Sequence, residues 1–212
     1  MKVGNQNLNY QELQSEIHAN AVKKGFWEKP NYHAFVADIT EEIGEFIKAL
    51  KAGRVANVVG YESDLFNEVC YLLPNRPEND RVAQDRKIFE LRMKDTTGDE
   101  LSDIDMLTMS IAEGWGIKID KSCFPKSDMV LSLASSGDNV FVMINRLSHL
   151  VSKLAGAPIG SHGENPVLQL LFCQVLYSVE FIADYLEIDL EYHIRRKMYY
   201  NKDRPYLHGK VQ

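Results

Sequence analysis

Apolar residues recur at three- and four-residue intervals along most of this chain, and no set of alternating segments interrupts them to build a sheet. That pattern restricts the fold to the all-α class, a helical bundle. The spacing predicts helices over residues 10–25, 32–52, 97–115, 128–155, 166–186 and 188–202. Gly25, Gly53 and the "GWG" at 114–116 follow three of these patterns and read as stops, while Thr96 or Thr97 reads as a start. Residues 53–96 carry a weaker pattern, broken by "LLPNRPEND", and are read as a long connecting insertion. "GAPIGSHGENP" is the clearest late loop. With 212 residues, 45% of them hydrophobic, the chain can bury a sizeable core as one domain over 1–212.

Composition narrows the function classes. A net charge of -6 argues against a general nucleic-acid surface, so no nucleic-acid partner is expected. The first residues lack the basic-then-apolar pattern of a leader, and no later run is read as approaching the roughly 20 apolar residues that span a bilayer. The expectation is a cytoplasmic protein without a membrane partner. Cys70, Cys123 and Cys173 are odd in number and scattered, which suggests neither a disulfide framework nor a zinc site.

The segment "FVADITEEIGEFIKAL" at 35–50 raises the chemical question. On a helical wheel Phe35, Ile39, Ile43, Phe46, Ile47 and Leu50 form one apolar stripe. Glu42 falls roughly 80° from its centre, with Asp38 and Glu45 beyond it on the same side and Glu41 roughly opposite. In the helix expected over 97–115, Glu100 lies roughly 40° from the stripe of Leu101, Ile104, Leu107 and Ile111, and Asp103 roughly 100° away. Such acids are commonly a solvated face, and those of a first turn also suit the helix dipole. Here two helices each carry acids three residues apart beside an apolar stripe, so packing through the stripes would converge four carboxylates. Those charges repel without a cation, and oxygen-only ligands on rigid helices suit Mg²⁺ or Mn²⁺ better than zinc. Mg²⁺ so held takes phosphate oxygens as further ligands, which points to a phosphorylated substrate.

The tail "YHIRRKMYYNKDRPYLHGK" supplies positive charge to an acidic chain. Cations there also suit a helix C-terminus. Lys197 and Asn201 share a helical face, and Arg204 before Pro205 marks the exit; together they read as a phosphate clamp. Phe26, Trp27 and Tyr32 are candidates to stack a base, though aromatics near a helix end are more often core; Asn20 and His18 are candidate base contacts.

The ordered set, E-E-x-x-E at Glu41, Glu42 and Glu45, then E-x-x-D at Glu100 and Asp103, then Lys197, Asn201, Arg204, His208, Gly209 and Lys210, resembles the MazG-like all-α nucleoside triphosphate pyrophosphatases, the superfamily that includes dimeric dUTPases and dCTP pyrophosphatases. "HANAVKKGFWEKPN" is similar to the opening of small members, and the resemblance covers roughly 11–52, 95–120 and 188–210. It implies Mg²⁺-dependent hydrolysis of a nucleoside triphosphate to the monophosphate and pyrophosphate. By the same resemblance Glu42, Glu45, Glu100 and Asp103 would hold the metal, and Lys197, Asn201, Arg204 and Lys210 the phosphates. Glu41 is a candidate to orient or deprotonate the water, giving Glu41, Glu42 and Glu45 as the catalytic set. A nucleotide-binding sensor of the same fold with reduced catalysis is the alternative, and a homodimer is compatible with either. The two acidic motifs stand further apart than in compact members, which leaves the preferred base and sugar open.

"GWGIKIDK" at 114–121 is echoed by "YLEIDLEY" at 185–192, and "IGEFIKAL" at 43–50 by "LSHLVSKL" at 147–154. These echoes read residues 121–187 as a degenerate repeat, between an acidic half over 1–120 and a phosphate-binding segment over 188–212. In that alignment Glu42, Glu45, Glu100 and Asp103 meet Arg146, His149, Leu171 and Gln174, so the copy has lost all four of these acids and one site per chain is expected.

Overall fold

The computed structural model describes residues 10–71, 77–120, 139–158 and 165–202, with the backbone alone at 69–71. Every regular element among them is helical: α1 (Tyr10–Lys23), α2 (Tyr32–Lys51), α3 (Val58–Leu65) running into a π-helical turn (Phe66–Tyr71), α4 (Glu78–Arg92), α5 (Thr97–Gly114), α6 (Val140–Gly156), α7 (Pro166–Tyr185) and α8 (Leu190–Lys202).

Local chemistry sets these limits. Asn31 starts α2, its Oδ1 accepting the Ala34 N–H at 3.2 Å, and the Thr96 hydroxyl accepts the Asp99 N–H at the head of α5. Gly53 and Gly116, at φ +63° and +72°, reverse the chain after α2 and α5, where a side chain would be strained. Asn165 caps α7 with Pro166 in its first turn.

α5 is the axis of the molecule. It packs against α1, α2, α7 and α8, and nearly every residue from Thr97 to Ala112 is buried. Leu101, Ile104, Met109 and Ile111 meet Leu13 and Ile17 of α1 and Ile39, Ile43 and Phe46 of α2 in one core. Each such side chain contributes about 1.5–3 kcal/mol by leaving water. α6 lies on α2 and α7 on α5, and the two pack on each other. The Tyr32 hydroxyl donates to Leu154 O at 3.0 Å and ties the head of α2 to the end of α6. The buried Gln14 amide clamps the chain leaving α5, donating to Ile117 O at 2.6 Å and accepting from the Ile119 N–H at 3.2 Å.

Three expectations need correction. Residues 53–96, read as a connecting insertion of weaker pattern with no helix assigned, contain α3, the π-helical turn and α4. Tyr61, Ile88, Phe89 and Met93 enclose a second, small core with Tyr200 of α8. The helix expected from 128 begins at Val140, because Asn139 is extended and its Oδ1 accepts the Phe141 N–H at 2.9 Å; residues 128–138 lie outside the described ones. Finally, α7 is long and apolar enough to cross a bilayer by length and composition, but half of that stretch is buried in the bundle, as in a core helix.

Candidate metal centre and cavity

The two acidic helices converge as their stripes pack. Glu42 comes from α2, Glu100 and Asp103 from α5, and one carboxylate oxygen from each lies within 4.8 Å of the others. Glu100 is buried, as its wheel position beside the stripe anticipates, while Glu42 and Asp103 are half-buried. The crowding is visible in their acidities. Burial, then the charges of Asp103, Glu100 and Glu45, push the Glu42 carboxyl up to about 8. Burial, then Asp103 and Asp99, push Glu100 up to about 7. Glu45 is half-buried and close enough to act on both, but it stands outside the tight three-oxygen group.

The donor set fits a hard divalent cation: all oxygens, on helices whose backbones are held by the core. An octahedral Mg²⁺ with ligands at about 2.0–2.1 Å sets neighbouring oxygens about 2.9 Å apart, so the three carboxylates, within 4.8 Å of one another, would draw together around an ion.

Lys197 is placed otherwise than the tail pattern suggests. Its ammonium does not face an open phosphate site. It donates to Asp99 Oδ1 and to Asp103 Oδ2, each at 2.7 Å, and its side chain is 8% exposed. Burial alone would lower its proton affinity, yet Asp103 and Asp99 overcome this and raise it well above the usual lysine range. Asp99 is itself buried, and its Oδ2 accepts the Asp95 N–H at 2.9 Å. The sequence reading missed Asp99; its signal was the i, i+4 spacing to Asp103. His193, one turn before Lys197, lies against Gly98, where any Cβ would overlap the imidazole ring. Burial pushes that ring's pKa down to about 4, so it packs as a neutral group.

Beside the acids opens a cavity of about 430 Å³ between α1, α2 and α5. Glu42, Glu45 and Asp103 border it, Glu41 and Asp38 form an exposed part of its wall, and Asn201 reaches it from α8. Asn20, Phe26, Trp27 and Phe35 line it as well. Trp27 is fixed by its indole N–H donating to Ser110 Oγ at 3.2 Å and by rings of His18, Phe35 and Trp115 around it. His18 backs this wall, its Nδ1 3.0 Å from Ser110 O. Tyr32 is buried with its hydroxyl on Leu154, so it belongs to the core and not to the cavity. Arg204, His208, Gly209 and Lys210 lie outside the described residues.

Gly114 is what lets Trp27 lie flat on the end of α5, because a Cβ there would overlap its ring. Gly114→Ala is therefore expected to displace the indole and destabilise the protein by about 1–2 kcal/mol, overpacking outweighing the gain in helix propensity. A melting temperature lower by roughly 2–8 °C, with altered tryptophan fluorescence, is the result to look for. Unchanged fluorescence and stability would show that the wall yields freely.

No family model, curated protein or solved structure matches the chain.

Proposed function

We propose that the protein is a Mg²⁺-dependent nucleoside triphosphate pyrophosphohydrolase of the MazG-like kind, working in the cytoplasm. The observation that carries this reading is the three-oxygen group of Glu42, Glu100 and Asp103 at the edge of a cavity walled by Trp27 and Phe35. Acids that could hold a metal-bound phosphate and aromatic side chains lining one cavity suit a nucleotide.

Glu42, Glu100 and Asp103, with Glu45 adding charge nearby, would hold Mg²⁺, which would supply neutralisation of the phosphate oxygens. Glu41, exposed on the cavity wall, takes a proton from the attacking water as that oxygen bonds to the α-phosphorus. The bond from the α-phosphorus to the bridging oxygen breaks, and pyrophosphate leaves with the electron pair. Asn201 donates its amide to a phosphate oxygen from the α8 side. Arg204 and Lys210 are assigned to the phosphates by the resemblance. Phe26, Trp27 and Phe35 stack the base. α6 and α7, lying on α2 and α5, are read as a copy of that pair without its four site acids, with Arg146, His149, Leu171 and Gln174 at the corresponding positions. One site per chain follows.

The competing reading, a nucleotide-binding sensor, draws on the engagement of Lys197 with Asp99 and Asp103, which removes one cation from the phosphates. A panel of triphosphates with Mg²⁺ separates the two. The enzyme releases pyrophosphate and monophosphate, whereas the sensor binds without turnover. In either case Mg²⁺ with a non-hydrolysable triphosphate at a hundredfold its Kd is expected to add about 2.7 kcal/mol of stability. No rise in melting temperature with any triphosphate would leave a helical bundle with solvated acids.

A further inference from the structure

The acids at the head of α5 form two overlapping groups. Glu42, Glu100 and Asp103 make one, and Asp95, Asp99 and Glu100 the other, each with one oxygen per residue within 4.8 Å. Glu100 belongs to both. Two oxygen groups that share a carboxylate are the layout of a two-cation centre, in which a pair of ions sits about 3.5–4 Å apart. The Lys197 ammonium bonds one oxygen from each group, Asp99 Oδ1 and Asp103 Oδ2, both at 2.7 Å. An ammonium is a compact charge with three donors, well suited to stand where a small ion would otherwise be held.

The rest of α8 keeps it there. Arg196, the preceding residue, reaches the other way to Glu62 at 2.8 Å and lies over the rings of Tyr61 and Tyr192. The Tyr192 hydroxyl also donates to Glu62, and Phe89 stacks on Tyr200. α8 is thus anchored to α3 and α4 on one side while Lys197 enters the acids on the other.

We propose that Lys197 is a built-in cation occupying the second position of this centre, so that each chain takes one divalent ion, on the Glu42, Glu100 and Asp103 side. The proposal rests on the metal reading given above and makes Lys197 a positioning residue, not a phosphate ligand. Asp95 and Asp99 then serve the lysine and not the ion.

Mn²⁺ alone, without nucleotide, tests this by equilibrium dialysis or by the spin-resonance signal of the free ion. The expected counts are one equivalent for the native chain, two for Lys197→Met, and one again for Lys197→Met combined with Asp95→Asn. Two equivalents in the native chain, or one in folded Lys197→Met, overturn the proposal. If Lys197→Met does not fold, Asp95→Asn in the native background decides. An unchanged count and affinity is expected, and a tenfold or greater weakening would mean that the second group already serves an ion. A native chain that binds no Mn²⁺ removes the metal reading itself, a result distinct from a count of two.

Discussion

Glu42→Gln and Asp103→Asn are each expected to reduce pyrophosphate release by about a hundredfold or more while the helical content stays native, a loss of at least about 2.7 kcal/mol of transition-state stabilisation. Both residues supply an oxygen to the three-carboxylate group, and an amide keeps the shape while removing the charge. The two variants should differ in stability. The Glu42 carboxyl is raised to about 8 from its ordinary 4.5, so its contribution to stability is present below pH 4.5 and is lost as pH rises to about 8. Metal-free Glu42→Gln escapes that loss and should melt higher than the native protein at pH 8, by a few degrees for roughly 1 kcal/mol. Asp103 also accepts from Lys197, so its amide variant sacrifices a charge-assisted bond and gains no such stability. Near-native turnover in both variants would remove these residues from the site.

Asp105→Asn is expected to make the protein more resistant to alkali. Asp105 is fully buried on α5, and neither of its oxygens has a hydrogen-bond partner. Glu180 of α7 acts on it electrostatically, Asp105 in turn raises the Tyr10 hydroxyl's pKa, and the Tyr10 hydroxyl donates to Glu180 at 2.7 Å. Burial, then the Glu180 charge, raises the Asp105 carboxyl well above the carboxylate range, so the folded chain holds a proton that the unfolded chain releases. That contribution is complete below the ordinary aspartate pKa and declines by up to about 1.4 kcal/mol per pH unit as pH rises towards the folded value. Denaturant melts from pH 5 to 9 should show a shallower decline in the variant. Parallel curves for the two proteins would mean that Asp105 ionises in place.

α2 and α5 were legible in the sequence because one stripe and one cap define each, and the wheel that sets Glu100 beside the stripe also gives its burial. α4 was not legible. Its sequence "ENDRVAQDRKIFELR" buries only Asp85, Ile88 and Phe89, too few apolar contacts to write a stripe. The start of α6 was obscured for a different reason, since apolar residues already recur over 129–134 and the short "SSGD" before Asn139 was not read as a break. Periodicity places Lys197 and Asn201 on one face of α8 but is silent on what that face meets. The pairing of Lys197 with Asp99 is a tertiary fact between distant helices. Asp105 was hidden by its neighbours: an acid inside "DIDMLTM" resembles the polar side of an amphipathic helix until packing shows that α5 has hardly any solvent side.

The bonds from Lys197 to Asp99 and Asp103 span 98 and 94 positions of the chain. At roughly 5–20 residues per second of synthesis, the acids are made about 5–20 s before their lysine. For that interval α2 and α5 can meet through their apolar stripes, but the carboxylates between them do not yet have Lys197. The ion pairs of this corner therefore wait on the arrival of α8, and the acid cluster is completed last although most of its carboxylates are made first.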